Sequence, residues 1–158
     1  MNKIYNDMYV GGRWWPVEKT FSDINPSDDS EWARVPDVGV AEVRNAIDSA
    51  NHAFENWAEQ PFNQRSHFMI KIAELFEKRK MDVVKALRTE AGGWFGKGMF
   101  EASYVPEVFY AAAAMNFQAI GEVIPSEFGK LSMAIRRPVG VVSVISPWNF
   151  PTILTSRG

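Results

Sequence analysis

The sequence predicts an α/β chain in which short antiparallel strand pairs and about four helices lead into a first parallel strand. Three observations carry this. Gly11-Gly12 stands between Met8-Tyr9-Val10 and Arg13-Trp14-Trp15, and two residues tolerant of positive φ suit a tight hairpin. From Val40 onward apolar residues recur at spacings of three and four, the period of a helix with one apolar stripe. Residues 140–145 form a continuous Val- and Ile-rich run, the composition of a parallel strand covered on both faces.

Between these landmarks the elements follow in order. Residues 21–24 and 32–35 read as a second strand pair around the turn Asn25-Pro26-Ser27-Asp28-Asp29. The stripe Val40, Val43, Ile47, Ala50, Phe54 and Trp57 defines a first helix that ends before Pro61. A second helix is expected to start at Asn63 as its N-cap, with Phe68, Ile72, Leu75, Phe76 and Arg79 on one side. Asp82 is the expected cap of a third helix, which Gly92-Gly93 terminates. Residues 97–120 read as a fourth helix that Pro106 should kink or restart, with Gly121 just past its end.

Leu131, Met133 and Ile135 alternate with Ser132, Ala134 and Arg136, which is strand periodicity with one buried face. Paired with residues 123–127 they make a two-stranded ribbon, an element that needs another sheet or another subunit to be stable in water. The expected organisation is therefore strands and helices over residues 1–122, the ribbon over 123–138, and the opening strand and turn of a further core over 139–158.

Composition narrows the function. The 158 residues are 46% hydrophobic and 23% charged, as in a globular domain rather than a disordered chain. Net charge is −2, from 17 basic and 19 acidic residues mixed along the chain, which points away from nucleic acid and from an anionic membrane. A small molecule or another protein is the expected partner. The segment 1–7 has no apolar stretch of a secretory leader and no run is long enough to span a bilayer, so a cytoplasmic location is expected.

There is no cysteine, which excludes disulfides, thiolate metal sites and a thiol nucleophile. His52 and His67 fall on polar helix faces and leave little for zinc, so no metal is expected. The run Gly92-Gly93-Trp94-Phe95-Gly96-Lys97-Gly98 lacks the first glycine and the final Ser or Thr of a phosphate loop and follows a helix. It reads as a connection between helices.

The chemistry is concentrated at the far end. Pro147 and Pro151 bracket a turn and bias Ser146 and Phe150 toward extended backbone. A rigid turn at the C-terminal end of a parallel strand is where α/β enzymes place cofactors and reacting groups. In that turn Asn149 can donate its amide to an oxygen that gains charge during carbonyl addition. As an isolated turn residue it would instead bond its own backbone.

Residues 139–151 closely resemble the GVVxxISPWNFP segment of the aldehyde dehydrogenase superfamily. Upstream, Met8-Tyr9-Val10-Gly11-Gly12-Arg13-Trp14, Asn25-Pro26 and Gly121-Glu122-Val123-Ile124-Pro125 resemble segments of the same family in the same order. The resemblance covers nearly the whole chain and the first third of a family member. It implies the N-terminal part of an NAD-binding domain: N-terminal hairpins, helices, an oligomerisation-type ribbon and the first Rossmann-like strand. It also implies NAD(P)-dependent oxidation of an aldehyde to an acid by a homo-oligomer.

By this resemblance Asn149 is the oxyanion-stabilising side chain, and Ile145, Ser146, Pro147, Trp148 and Asn149 run beside the NAD or NADP nicotinamide, mostly through backbone contacts. Phe150 lines the substrate tunnel. Phe100 and Tyr104, one helical turn apart, either pack into the core or line that tunnel, where they would suit an aromatic aldehyde. The segments around residues 94–98 and 104–108 resemble those of members acting on benzaldehyde- or vanillin-like substrates. The family attacks its aldehyde with a cysteine that lies far downstream, together with a general-base glutamate, and this chain has neither stretch. It is therefore expected to be an inactive N-terminal fragment, prone to associate through the open strand at 140–145. The alternatives are a non-catalytic partner that joins full-length relatives through its ribbon, or a truncated gene product without function.

Overall fold

A computed structural model describes residues 7–158; the segment 1–6, read above for leader character, lies outside the described residues. The two expected hairpins form. Strand β1 (Asp7–Val10) pairs antiparallel with β2 (Arg13–Pro16), Met8 facing Trp15. Gly11 and Gly12 turn between them at φ 59° and 79°, the positive values that a two-residue hairpin of this hand requires. Strand β3 (Thr20–Ile24) pairs with β4 (Glu31–Pro36). The Asn25 side chain closes the turn between them by accepting the Ser27 N–H at 3.0 Å.

Helix α1 (Val40–Ala58) begins at Gly39, whose N–H donates to the Glu42 carboxylate at 3.0 Å. Its stripe has the expected period, yet no residue of the helix is buried. The face is formed but largely open, covered only at its C-terminal end, where Trp57 meets Phe68 and Phe54 is half-buried.

Helices α2 (Phe62–Lys78), α3 (Lys80–Glu90) and α4 (Phe95–Met115) make the packed unit, with α4 against both others. Its core is Ala73, Val84, Leu87, Ala102, Val105 and Ala113. Five sequence expectations are corrected here. Helix α2 starts at Phe62 behind Pro61 rather than being capped by Asn63, because the fixed φ of the proline already sets the entry. Its buried face is not the one bearing Phe68, Leu75 and Arg79: Ser66 and Ala73 are buried, whereas Phe68 and Leu75 are exposed. Small residues let two helices approach, and the large ones flank the crossing, Phe76 against Phe109 with centroids 6.0 Å apart and Phe68 against Trp57 at 5.7 Å.

Asp82 does not cap α3 but lies in its first turn, where it accepts from Arg79 Nε at 3.2 Å. Gly92, at φ 61°, does end α3 as expected. Pro106 lies inside α4 without interrupting it, buried against the neighbouring helices. That helix ends at Asn116, whose side-chain amide donates to Ala112 O at 3.0 Å and accepts from Arg65 Nε at 3.3 Å. Gly121 therefore opens the next strand instead of closing the helix.

Strands β5 (Gly121–Ile124) and β6 (Ser132–Ile135) form the ribbon, antiparallel, with Val123 facing Met133. Its expected buried face is open: Leu131, Met133 and Ile135 are all exposed. Residues 138–147 carry no strand hydrogen bonds, so the expected parallel strand at 140–145 is extended chain without a ladder. A strand exists only through a partner, and the described residues contain no neighbouring parallel strand. A short helix α5 (Pro151–Ser156) returns to pack on α4 through buried Ile153. No described helix is long and apolar enough to cross a membrane.

Candidate functional site

The turn read from the sequence docks on the N-terminal half of α4. Helix α5 starts with Pro151 at its first position, where the ring sets the helical φ and removes an N–H that would lack a partner anyway. Thr155 Oγ donates back to Pro151 O at 2.7 Å, and Ser146 Oγ donates to the same carbonyl at 2.6 Å. The second bond closes the loop from 146 to 151 around Asn149. The Asn149 side chain is exposed and has no hydrogen-bond partner among the described residues.

Three of the aromatic residues singled out above come together. Phe100 and Tyr104 stack at 5.8 Å along α4, and Phe150 meets Phe100 edge-on at 6.2 Å. Phe100 is 54% exposed, so these rings form an open apolar wall rather than core, with Phe150 next to Asn149 in the chain. Arg157 covers the far side of Tyr104, its guanidinium 5.1 Å from the ring centroid and one nitrogen donating to the phenol oxygen at 2.7 Å.

Ile145 and Trp148 are 93% and 85% exposed and lie on the open side of the same turn. Residues 138–149 make no backbone–backbone hydrogen bond among the described residues. The N–H and C=O groups of Ile145, Ser146, Pro147 and Trp148 are thus available, within the donor limits of proline, to a ligand running along the chain.

Beneath the turn lies a buried charge that sequence reasoning missed. Glu101 is fully buried. Its Oε1 accepts from Lys97 Nζ at 2.6 Å, and its Oε2 accepts from the Thr152 N–H at 3.2 Å and from Thr152 Oγ at 2.8 Å. Lys97 Nζ also sits 5.0 Å from the centroid of the Phe150 ring. A signal was present: α4 carries only three charged residues, Lys97, Glu101 and Glu107, and two of them stand four apart. The link to Thr152 had none.

The remaining candidates lie elsewhere. His52 and His67 are exposed on their helices. The glycine-rich run joins α3 to α4. Glu90, at the end of α3, has its carboxyl pKa raised by burial and further by the charge of Asp23. A concavity of about 470 Å³ between the first hairpin and α1, lined by Arg13, Trp15, Glu42 and Asn45 among others, shares no residue with the aromatic wall.

The description of the aldehyde dehydrogenase family matches residues 14–158. The mitochondrial succinate-semialdehyde dehydrogenase of Rattus norvegicus is 33% identical over 158 residues, covering 96% of this chain and 29% of that protein. A vanillin dehydrogenase of Corynebacterium glutamicum is 33% identical over 151 residues, covering 94% of this chain and 31% of its own length. The crystal structure of an NAD-dependent benzaldehyde dehydrogenase from Corynebacterium glutamicum superposes with a TM-score of 0.91 at 32% identity, over 97% of this chain and 34% of that one. The chain spans about a third of the length of these relatives.

Proposed function

Because the chain belongs to the aldehyde dehydrogenase family, we propose that it supplies the oxyanion donor and one edge of the cofactor site for NAD- or NADP-dependent oxidation of an aldehyde to a carboxylic acid. The observation that carries this reading is the unpartnered amide of Asn149, held in a closed turn whose next residue, Phe150, packs against the Phe100 ring. As a nucleophile adds to the aldehyde carbon, the carbonyl oxygen gains negative charge and the Asn149 amide donates to it. One such donor contributes about 3–4 kcal/mol of barrier reduction. A nicotinamide held along residues 145–148 would supply the hydride acceptor once nucleophile addition has made the aldehyde carbon tetrahedral. Backbone groups of residues 145–148 orient that cofactor, and the aromatic wall excludes water from one side of the substrate.

Stacked rings along one wall suit an aromatic aldehyde, and two of the relatives are named vanillin dehydrogenase and benzaldehyde dehydrogenase. The chain contains no cysteine, so the thiolate of the family reaction comes from outside these residues, and the 158 residues alone are inactive. The test is a full-length enzyme in which residues 7–158 replace the matching portion of the Corynebacterium benzaldehyde dehydrogenase. Asn149→Ala is expected to lower its kcat by roughly 10²–10³-fold, and benzaldehyde to be preferred over succinate semialdehyde. An unchanged kcat overturns the assignment of Asn149. Reduced nicotinamide formed by the isolated chain overturns its inactivity.

A second reading, a non-catalytic partner of full-length relatives, is favoured by the ribbon, whose Leu131 and Met133 are 72% and 53% exposed. Mixing the chain with a full-length relative and measuring native mass separates the two, since only this reading requires a mixed oligomer.

A further inference from the structure

We infer that Glu101 is a positioning residue for the reaction: its carboxylate fixes the turn that carries Asn149 by holding the backbone and hydroxyl of Thr152. The inference rests on the reading of Asn149 as oxyanion donor and extends it to a residue that touches neither substrate nor cofactor.

A fully buried carboxylate is costly unless it is paired and hydrogen-bonded, and a buried ion pair seldom stabilises a fold better than apolar residues of similar volume. Stability alone therefore gives little reason for Lys97 and Glu101 at this place. Their contacts give a better one, because both lead to the turn. Glu101 Oε2 takes two hydrogen bonds from Thr152, three residues after Asn149. Lys97, held by Glu101 Oε1, lies over the ring of Phe150, the residue next to Asn149. On the other side, the Ser146 hydroxyl fastens the loop to Pro151 O. Asn149 has no bond of its own, so its neighbours supply its placement.

An oxyanion donor lowers a barrier only if it already points where the charge will develop, and a first contact is as precise as the groups that support it. The carboxylate form matters because all three partners donate. In Glu101→Gln the NH2 group must face either the ammonium of Lys97 or the N–H and hydroxyl of Thr152, so at least one of these contacts is lost.

The experiment uses the full-length chimera described above. Thr152→Val and Glu101→Gln are each expected to lower kcat by roughly tenfold or more with the aldehyde KM changed less than about twofold, while Thr152→Ser retains kcat. In the Asn149→Ala background neither substitution should lower kcat further, because the group they position is gone. Losses that multiply with Asn149→Ala, or a kcat unaffected by both substitutions while Asn149→Ala lowers it, overturn the positioning role and leave the oxyanion assignment standing. An unaffected Asn149→Ala overturns both. A second measurement needs no turnover: amide hydrogen exchange on the 158-residue chain. Faster exchange confined to residues 152–156, the bonded amides of α5 and the Thr152 N–H, is expected in Glu101→Gln, and unchanged or globally raised exchange counts against the proposal.

Discussion

Glu101 and Thr152 are joined by two hydrogen bonds to one carboxylate oxygen across 51 residues of sequence, and this contact ties the last helix to the longest one. Lys97 neutralises the same carboxylate from one turn earlier on α4. Lys97→Met leaves that charge buried without its counterion, a change that typically costs about 3–5 kcal/mol. The partial exposure of Lys97, 22% at its side chain, places the expected loss toward the lower end. Removing both charges in Lys97→Met/Glu101→Leu is expected to recover most of the stability, since an apolar pair needs no desolvation. Urea unfolding followed by circular dichroism checks this, and a double variant less stable than Lys97→Met contradicts it.

Gly92 and Pro26 form a second junction, between the end of α3 and the turn of the second hairpin. Gly92 has φ 61°, and a Cβ there would lie 2.8 Å from Pro26 Cγ. Gly92→Ala therefore combines left-handed strain with a clash against a stiff ring, and a loss of about 1–3 kcal/mol is expected. Gly12 is also left-handed, but a Cβ there meets nothing within 4 Å, and Asn tolerates such a φ. Gly12→Asn should cost less than about 1 kcal/mol. Thermal unfolding of the two variants side by side tests the contrast.

Local features were legible from the sequence because their causes are local. Two glycines fix the first hairpin wherever the rest of the chain goes, and two prolines define the turn around Asn149. The helical stripes were legible as periods, but a period says which residues share a face and not what covers it. The stripe of α1 is intact but open over most of its length, and in α2 the buried side belongs to Ser66 and Ala73 rather than to the larger residues. The run at 140–145 has the composition of a buried strand, yet pairing depends on other strands and none is among the described residues. The Glu101–Thr152 link was illegible for a related reason: neither residue has an unusual neighbourhood in sequence, and only the docking of α5 on α4 brings them together.

That open run has a measurable consequence. Val139, Val142, Ile145 and Trp148 are 91%, 57%, 93% and 85% exposed, and apolar segments with unpaired backbone groups associate. The purified chain is expected to show a native mass that rises with concentration. Val142→Asp/Ile145→Lys should lower that association without changing the helical content seen by circular dichroism, since neither residue touches the packed helices' buried core. Light scattering after size exclusion gives the answer, and a wild-type chain that stays monomeric at every concentration refutes the expectation.

Glu90 makes stability depend on pH with a sign opposite to that of a salt-bridged carboxylate. Burial raises its folded pKa above the usual 4.5 and the charge of Asp23 raises it further. Its place as the last residue of α3 also sets a negative charge at the negative end of the helix dipole. A group with a raised folded pKa binds its proton more tightly folded than unfolded, so its ionisation disfavours the fold. The penalty is complete above the raised pKa and disappears as pH falls below the unfolded value. Glu90→Gln is therefore expected to raise the melting temperature at neutral pH and to lose that advantage progressively as the solution is acidified through the carboxylate range. Melting curves of wild type and variant across that range decide the matter: a gain that persists unchanged at acid pH would assign the effect to helix propensity or packing rather than to charge. Asp23, itself held above its usual pKa by burial, supplies the internal control. In Asp23→Asn the advantage of Glu90→Gln should shrink without vanishing, because burial is the larger of the two causes.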